Sequence, residues 1–462
     1  MGKKYGEYFN QKFLEVDSEK SAVNNAIRNY SYYKSNIYSI EHYLYSYLSN
    51  IINNATLSKM PMITLNYIPK IIKRLTLAYK KAPISMVGEP ESKEQELYGK
   101  WTRNLNKFRK EFHRQGKLFN TILVRPIINE DKEYFDYLIL NRGLCEVETD
   151  PRNHQKMLEV EYQVPDPREG KEKEDITIHW TETEYYATDK NGKRITNIKE
   201  INGKNPYGVI PFVVLRMEDT NEFFGDGLSD LVKGNEHLNG RLTDTFFKLY
   251  MSFGIPVGTN LNIKSDEFFL SPDTPIMIDN ARQEMLNPSL EFVTPEQKVE
   301  LDKLVNDWFI NEMGVIKGLP AGAFAELEKA TSGYSKMIDN LELIDLNEDD
   351  KEVLYEFEYD LFEMQKKVLE VEQGLVIKGD LNFEFMPIDF PKSDTEIWLN
   401  REKEFQYNIS TPVDWLREYR PQGTDEELNK VLKDNQKNNS EMKRTLTRLE
   451  SLVNGTAPQN NL

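Results

Sequence analysis

Histidine, cysteine and clustered carboxylates are the side chains of this sequence that could bind a metal ion or transfer a proton. The five histidines are His42, His113, His154, His179 and His237. No two of them share a metal-binding spacing such as H-x-x-x-H, and the single cysteine, Cys145, cannot complete a zinc set. The acidic run 348–350 could hold Mg²⁺, but among 76 acidic residues such a run is typical of a solvated surface. The sequence therefore predicts no metal site and no cofactor.

Motifs that mark phosphate-binding loops and nucleophilic hydrolases are missing. GxxxxGK[ST], GxGxxG and GxSxG do not occur in the sequence. Gly225-Asp226-Gly227 is a lone GxG, which a turn before a helix explains. Without these motifs, the common types of nucleotide-binding and hydrolase active sites are not predicted, but an enzyme of another type is not excluded. We therefore expect a protein that is not an enzyme. A metal-dependent nuclease or hydrolase that uses the acidic clusters stays open as an alternative.

The composition favours long, solvated helices and argues against a static DNA-binding protein. Hydrophobic residues make up 39% of the chain and charged residues 29%, and the net charge is −17. A protein that holds DNA usually carries a basic face, whereas this chain would repel or guide it. One cysteine without a partner agrees with a reducing, cytoplasmic setting. No apolar run of about 20 residues occurs, so we expect no membrane span.

The first half of the chain predicts helices followed by an antiparallel sheet. Residues 1–118 are expected to be helical, with the clearest apolar face at 67–79. Between 119 and 217 the sequence becomes rich in β-branched and aromatic residues, and Asn191-Gly192 indicates a hairpin. The predicted strands are Thr121–Ile128, Glu133–Leu140, Leu158–Val164, Ile176–Tyr186 and Ile210–Leu215.

Two further helices are expected to bracket a small β module. The first has an apolar stripe through 226–254 and ends at Gly254-Ile255-Pro256. The second begins with Thr294 as N-cap and Pro295 as N1, and runs to about Met313. Strand candidates between the helices are Pro275–Ile278 and Leu290–Val293. Because both ends of this module return to the same place, we expect it to protrude.

A Gly/Pro-rich segment follows, and then a long acidic helix. Residues 315–332 are unlikely to form a straight helix. The helix after them runs to about Gln373 and carries apolar residues at heptad spacing, which predicts packing along another helix. Segment 319–372 holds 15 acidic residues against 5 lysines. A strand is expected around 381–385, and Thr411-Pro412 and Thr424-Asp-Glu-Glu427 predict the starts of two C-terminal helices.

Five segments in this order resemble portal proteins of tailed double-stranded-DNA bacteriophages, particularly those with long, non-contractile tails. Each segment is moderately specific, and their joint order over residues 66–427 carries the resemblance. They are 66–79 with Pro83, 205–213 with 224–231, 238–242 (Leu-Asn-Gly-Arg-Leu), 330–337 (Ala-Thr-Ser-Gly-Tyr-Ser-Lys-Met), and 411–416 with 424–427.

The resemblance implies an α+β, mainly helical subunit of a ring, usually of twelve copies, through which DNA passes. It implies the double-stranded DNA, the large terminase ATPase, major capsid and scaffold proteins and a head–tail adaptor as partners, and a capsid vertex of the virion as location after assembly in the host cytoplasm. The implied regions are a wing (1–224), stem helices (225–254 and 295–314), a clip (255–294), a tunnel loop (315–332), a long wing helix and strand (333–392), and a crown (393–462).

Two groups of residues become candidates on this basis. The DNA-channel residues of the tunnel loop are Lys317, Phe324, Glu326, Glu328 and Lys329. The clip residues for docking the motor or adaptor are Asn260, Lys264, Asp266, Phe268 and Asp273. Acidic side chains facing the bore would repel phosphate, while a few lysines could follow the backbone transiently. Another virion assembly protein, a scaffold or an adaptor built on the long helix, stays open as an alternative.

Overall fold

The protein has a mixed α/β structure, as expected for the α+β class. Of the residues described, about 50% are helical and 21% lie in strands. Apart from a few single residues, the computed structural model describes residues 18–50, 60–89, 92–129, 133–168, 174–196, 203–251, 254–259, 276–278, 289–293, 299–320, 341–387, 394–407, 409–419 and 425–453. These fall into two compact units: the first extends from the N-terminal helices to the strand at 381–384, and the second holds the C-terminal helices.

The first unit combines helices with strands that pair mainly in antiparallel register. Its helices are α1 (Ser18–Tyr33), α2 (Ile37–Ser49), α3 (Ile68–Leu75), α4 (Lys93–Trp101), α5 (Leu105–Phe119), α6 (Ser229–Met251), α7 (Val299–Val315) and α8 (Leu341–Gln373). Its strands are β1 (Ile84–Val87), β2 (Thr121–Asn129), β3 (Tyr134–Leu140), β4 (Cys145–Asp150), β5 (Asn153–Pro165), β6 (Asp175–Thr181), β7 (Tyr185–Thr188), β8 (Arg194–Ile195), β9 (Val213–Arg216), β10 (Ile255–Thr259), β11 (Ile276–Ile278), β12 (Ser289–Val293) and β13 (Leu381–Glu384).

The predicted antiparallel region forms two sheets, with strand orders β3-β2-β9 and β4-β5-β6-β7-β8. The hairpin expected at Asn191-Gly192 joins β7 to β8, and Gly192 adopts a φ of +75° that suits glycine. The single strand predicted at Ile176–Tyr186 is wrong, because a turn at 182–184 divides it into β6 and β7. Both halves are rich in strand-forming residues, so composition did not reveal the turn.

A strand also lies where only helix was predicted. β1 pairs with β13 in antiparallel register, from Ile84 opposite Glu384 to Val87 opposite Leu381. The four residues of β1 are too few to show a period, and their partner strand lies almost 300 residues away in the sequence. The pairing closes the first unit by joining its early helices to the end of α8.

The apolar face of α8 forms the centre of the core of the first unit. Leu354, Phe357, Leu361 and Val368 are all buried. The prediction that this face packs along another helix is confirmed in part, because Phe357 meets Phe112 of α5 with ring centroids 5.6 Å apart, while α8 also lies against β2, β9 and β13. Heptad spacing defines one apolar face of a helix, and a sheet can cover such a face as well as a helix can.

Among the residues described, the second unit contains α9 (Asp394–Gln406), α10 (Pro412–Tyr419) and α11 (Asp425–Val453). The helix start predicted at Thr411-Pro412 is confirmed, because the Thr411 hydroxyl donates to the Asp414 carboxylate at 2.6 Å and Pro412 is the first helical residue. In the part of the chain that the structure describes, no helix combines the length and apolar character that a membrane crossing requires.

Candidate functional site

Helices α6 and α7 form an antiparallel hairpin whose far end carries a small β module. Lys248 lies 4.0 Å from Asp302, and Arg241 Nε donates to Asn306 Oδ1 at 3.3 Å. A later residue of α6 contacts an earlier residue of α7, and an earlier residue of α6 contacts a later one, so the two helices run in opposite directions. The predicted helix 226–254 is thus observed as α6, while residues 294–298, which include the predicted start of the second helix, lie outside the described residues.

The β module between the two helices has β10 as its central strand. β10 pairs with β12 in antiparallel register, from Ile255 opposite Val293 to Thr259 opposite Ser289, and with β11 in parallel register. The strand candidates Pro275–Ile278 and Leu290–Val293 are confirmed as β11 and β12. The central strand was missed, because Pro256 and Gly258 indicated a turn rather than a strand.

Lys317 is the one proposed channel or clip residue that lies within the described part of the chain. It follows α7 in a turn, and its Nζ lies 2.7 Å from Asp230 Oδ2 at the start of α6. Its side chain is 23% exposed, so the ion pair holds it at the base of the hairpin. The remaining candidates fall outside the described residues: Phe324, Glu326, Glu328, Lys329, Asn260, Lys264, Asp266, Phe268 and Asp273.

Gly318 fixes the turn that carries Lys317. It has a φ of +79°, and a Cβ at this position would lie 2.3 Å from Leu346 Cδ1 of α8. Any other residue would therefore be strained, and the Leu346 side chain would have to move to make room for it. The position of Lys317 is set by two features, the ion pair to α6 and the close approach of the turn to α8.

One face of α7 exposes large apolar side chains. Leu301, Leu304 and Trp308 are 55–67% exposed. Their spacing of three and four residues places them on the same side of the helix. Phe292 and Val293 of β12 are also exposed, so apolar surface is present on the β module as well as on α7. Exposed apolar side chains grouped on one helix face are a common feature of interaction surfaces.

Three buried polar residues attach α6 to the body of the first unit. Asn235, Asn239 and Thr243 recur every four residues, and each is fully buried. Their side chains accept hydrogen bonds from the backbone N–H groups of Tyr67, Leu65 and Ile63 at 2.9, 2.9 and 3.1 Å. The extended segment 63–67 thus finds along the helix the partners that a neighbouring strand would otherwise supply.

The exposed face of α8 carries a row of acidic residues. The exposed residues Glu342, Asp345, Asp349, Glu352, Glu356, Asp360 and Glu363 recur at three- or four-residue intervals. Partial burial, together with the neighbouring carboxylates of Glu356 and Glu363, raises the pKa of Asp360 above its ordinary value. The row therefore concentrates negative charge along one side of the helix.

Asp350 differs from these exposed acids, which corrects the interpretation of the run 348–350 as a solvated cluster. It is buried, and its two oxygens contact His113 Nε2 at 2.9 Å and Lys117 Nζ at 2.6 Å. Burial lowers the pKa of His113, although the hydrogen bond and charge of Asp350 act in the opposite direction. Since α5 supplies both partners, this cluster joins α5 to α8.

A different group of possible metal ligands lies on the five-stranded sheet. Glu159 and Glu161 of β5 and His179 of β6 each present a donor atom, and these atoms lie within 4.8 Å of one another. Sequence spacing missed the group because it links residues about 20 positions apart through strand pairing. The alternation Glu159-x-Glu161 and a histidine on a neighbouring predicted strand were the available signal.

No protein-family model matches the chain, and no curated protein sequence matches it either.

Proposed function

We propose that the chain is the subunit of a ring-shaped portal of a tailed bacteriophage, a channel at a capsid vertex for packaging and ejecting DNA. The observation that carries the proposal is the antiparallel hairpin of α6 and α7 with a β module at its far end. In this assignment the hairpin is the stem and the module is the clip, where the terminase motor and later the head–tail adaptor dock.

The exposed apolar face of α7 supports assembly into a ring. Burial of the exposed side chains of Leu301, Leu304 and Trp308 against a second copy of the chain would be favourable. In a cyclic ring each subunit uses two different surfaces, so the apolar face of one stem packs against another part of its neighbour. We therefore expect these side chains to become buried between adjacent stems.

The charge of the chain supports passage of DNA rather than tight binding. The exposed acids of α8 and the net charge of −17 disfavour lasting contact with phosphate. A protein that neutralises many phosphates binds DNA strongly through counterion release, which would hinder translocation. Lys317 is held near the base of the stem by Asp230, so it supplies a positive charge that is already partly compensated.

Negative-stain electron microscopy of the purified full-length protein tests the proposal directly. We expect closed rings with a central hole. A stable monomer at high protein concentration would contradict the proposal. Deletion of residues 255–294 should leave the stem helices but abolish motor docking in a packaging assay, whereas normal packaging by this variant would contradict the clip assignment.

The ion pair between Lys317 and Asp230 can be separated from a role of Lys317 in the channel. Lys317→Glu should reduce packaging while rings still form. A charge-swapped variant, Asp230→Lys with Lys317→Asp, restores the pair but moves the positive charge. If the swap packages DNA as well as the wild type, Lys317 serves the stem alone; if it fails while rings form, the position of the charge matters.

A further inference from the structure

The donor atoms of Glu159, Glu161 and His179 converge on one point of the five-stranded sheet. His179 Nδ1 lies 2.9 Å from Glu159 Oε1 and 3.2 Å from Glu161 Oε1. A tetrahedral ion with bonds of about 2.0–2.1 Å separates its ligand atoms by roughly 3.3 Å. The two distances from Nδ1 are therefore close to the edge length of such a coordination polyhedron, and the two carboxylate donor atoms lie within 4.8 Å of each other.

The other nitrogen of the imidazole ring has its own partner. His179 Nε2 lies 2.8 Å from Thr188 Oγ1, and both residues are buried. When Nε2 carries the proton and donates to Thr188, the lone pair of Nδ1 points toward the two carboxylates. Either a proton on Nδ1 or a cation held between Nδ1 and the two carboxylates satisfies this arrangement. A hydrogen bond from the distal ring nitrogen is also the usual way in which a protein orients a metal-binding histidine.

Neighbouring groups hold the carboxylate and the ring in place. The Tyr186 hydroxyl donates to Glu159 Oε1 at 2.9 Å, and its ring stacks on the His179 ring with centroids 4.5 Å apart. Glu161, His179 and Tyr186 lie directly opposite one another on β5, β6 and β7. Because paired strands are rigid, little rearrangement is needed to complete a site.

Further negative charge surrounds the cluster. Glu146 and Glu148 of β4 lie opposite Glu161 and Glu159 in the sheet register. Alternation along the strands places these side chains on the same face as the cluster. The face thus attracts a cation, and the imidazole nitrogen favours a transition metal over Mg²⁺ or Ca²⁺, which prefer oxygen ligands alone.

We propose that Glu159, Glu161 and His179 form a binding site for one divalent transition-metal ion, with Zn²⁺ as the best match. The ion would link β5 to β6 and leave a coordination position for water or a partner's side chain. This inference does not depend on the portal assignment.

Titration of the metal-stripped full-length protein with Zn²⁺, followed by calorimetry, tests the site. Co²⁺ serves as a second probe, because its visible absorption reports the coordination geometry. We expect one ion per chain. Glu161→Gln and His179→Gln should abolish this binding, and Thr188→Val should weaken it roughly 10–100-fold through the lost orienting hydrogen bond. Glu161 is partly exposed, so its substitution by the isosteric amide leaves the sheet intact.

Glu348→Gln is the matched control, since it removes an exposed carboxylate of the acidic run on α8. It should bind Zn²⁺ as the wild type does. Absence of binding to the wild type, or binding that survives Glu161→Gln and His179→Gln equally, would overturn the site. Cleavage of DNA that depends on the added metal and is lost in His179→Gln would keep the site but replace the portal assignment with a nuclease.

Discussion

Polar and apolar side chains are placed differently in two regions of the molecule. The core between α5 and α8 buries paired charges, whereas the hairpin of α6 and α7 exposes large apolar side chains. In the core, Arg109 donates from Nε and Nη2 to the two oxygens of Glu358, each at 2.8 Å, and both side chains are at most 3% exposed. On the hairpin, Leu304 and Trp308 are more than half exposed. In the core, the buried charges of Arg109 and Glu358 are paired within one chain, whereas large apolar side chains on the hairpin are exposed to solvent. The core is therefore complete within one chain, whereas the portal proposal assigns a neighbouring copy to cover the hairpin.

Breaking the buried ion pair should have the largest effect on the folded subunit. Burial opposes the charged form of Arg109, but the adjacent Glu358 carboxylate raises the pKa of Arg109 above its ordinary value. Arg109→Met leaves that carboxylate buried without its partner and should lower the free energy of unfolding by about 3–5 kcal/mol. Urea denaturation followed by circular dichroism measures the change.

A double variant controls for lost packing at this site. Replacing both charges, as in Arg109→Met with Glu358→Leu, removes the uncompensated charge and should recover much of the stability. Tyr79, which donates to Glu358 Oε1 at 2.7 Å, loses its acceptor in the double variant, so full recovery is not expected. A double variant as unstable as Arg109→Met would show that shape, rather than charge, sets the stability of this region.

The attachment of α6 to the core should be the next most sensitive feature. Asn235 accepts from Tyr67 N–H at 2.9 Å and donates to the Leu65 carbonyl at 2.8 Å, so Asn235→Ala removes the partner of two part-buried backbone groups. We expect a loss of about 2 kcal/mol in the free energy of unfolding. Lys233→Ala, an exposed substitution two residues away, should change it by less than about 0.5 kcal/mol. Equal effects of the two variants would exclude the hydrogen bonds as the anchor.

The buried histidine of the core predicts a pH dependence. Burial lowers the pKa of His113 below the ordinary value of 6.5, with Asp350 acting to raise it and Lys117 and Arg114 to lower it. Below pH 6.5 the unfolded chain binds a proton that the folded chain does not, so stability falls as the pH decreases. Between about pH 7.5 and about pH 5.5 the loss is at most about 1.4 kcal/mol for one imidazole.

His113→Gln isolates this contribution, because glutamine can still donate to Asp350 but does not titrate. Urea denaturation of the wild type and the variant at both pH values should show a smaller pH dependence for the variant. An unchanged dependence would assign the effect to other groups.

The hairpin was predictable from sequence to a greater degree than the groups that join distant segments. Apolar periodicity, a proline at the end of one helix and a capping pair at the start of the next indicated both helices and the module between them. Long-range pairing was not visible: β1 with β13, the sheet packed on α8, and the cluster around His179 all depend on contacts between distant residues. Local sequence patterns indicate whether a residue is buried or exposed, but they do not show which distant residue it contacts.

Substitutions on the exposed face of α7 should have the smallest effect on the free energy of unfolding but should prevent assembly into rings. Leu304→Ser with Trp308→Ser replaces side chains that are already 67% and 60% exposed, so the free energy of unfolding should change by less than about 0.5 kcal/mol for each. If a neighbouring stem covers these residues, light scattering and electron microscopy should show that rings no longer form. Lys303→Ser, on the same helix and also exposed, should leave assembly unchanged. Strong destabilisation of the subunit by the double variant would contradict the comparison, because it would mean that the hairpin, like the core, completes its packing within one chain.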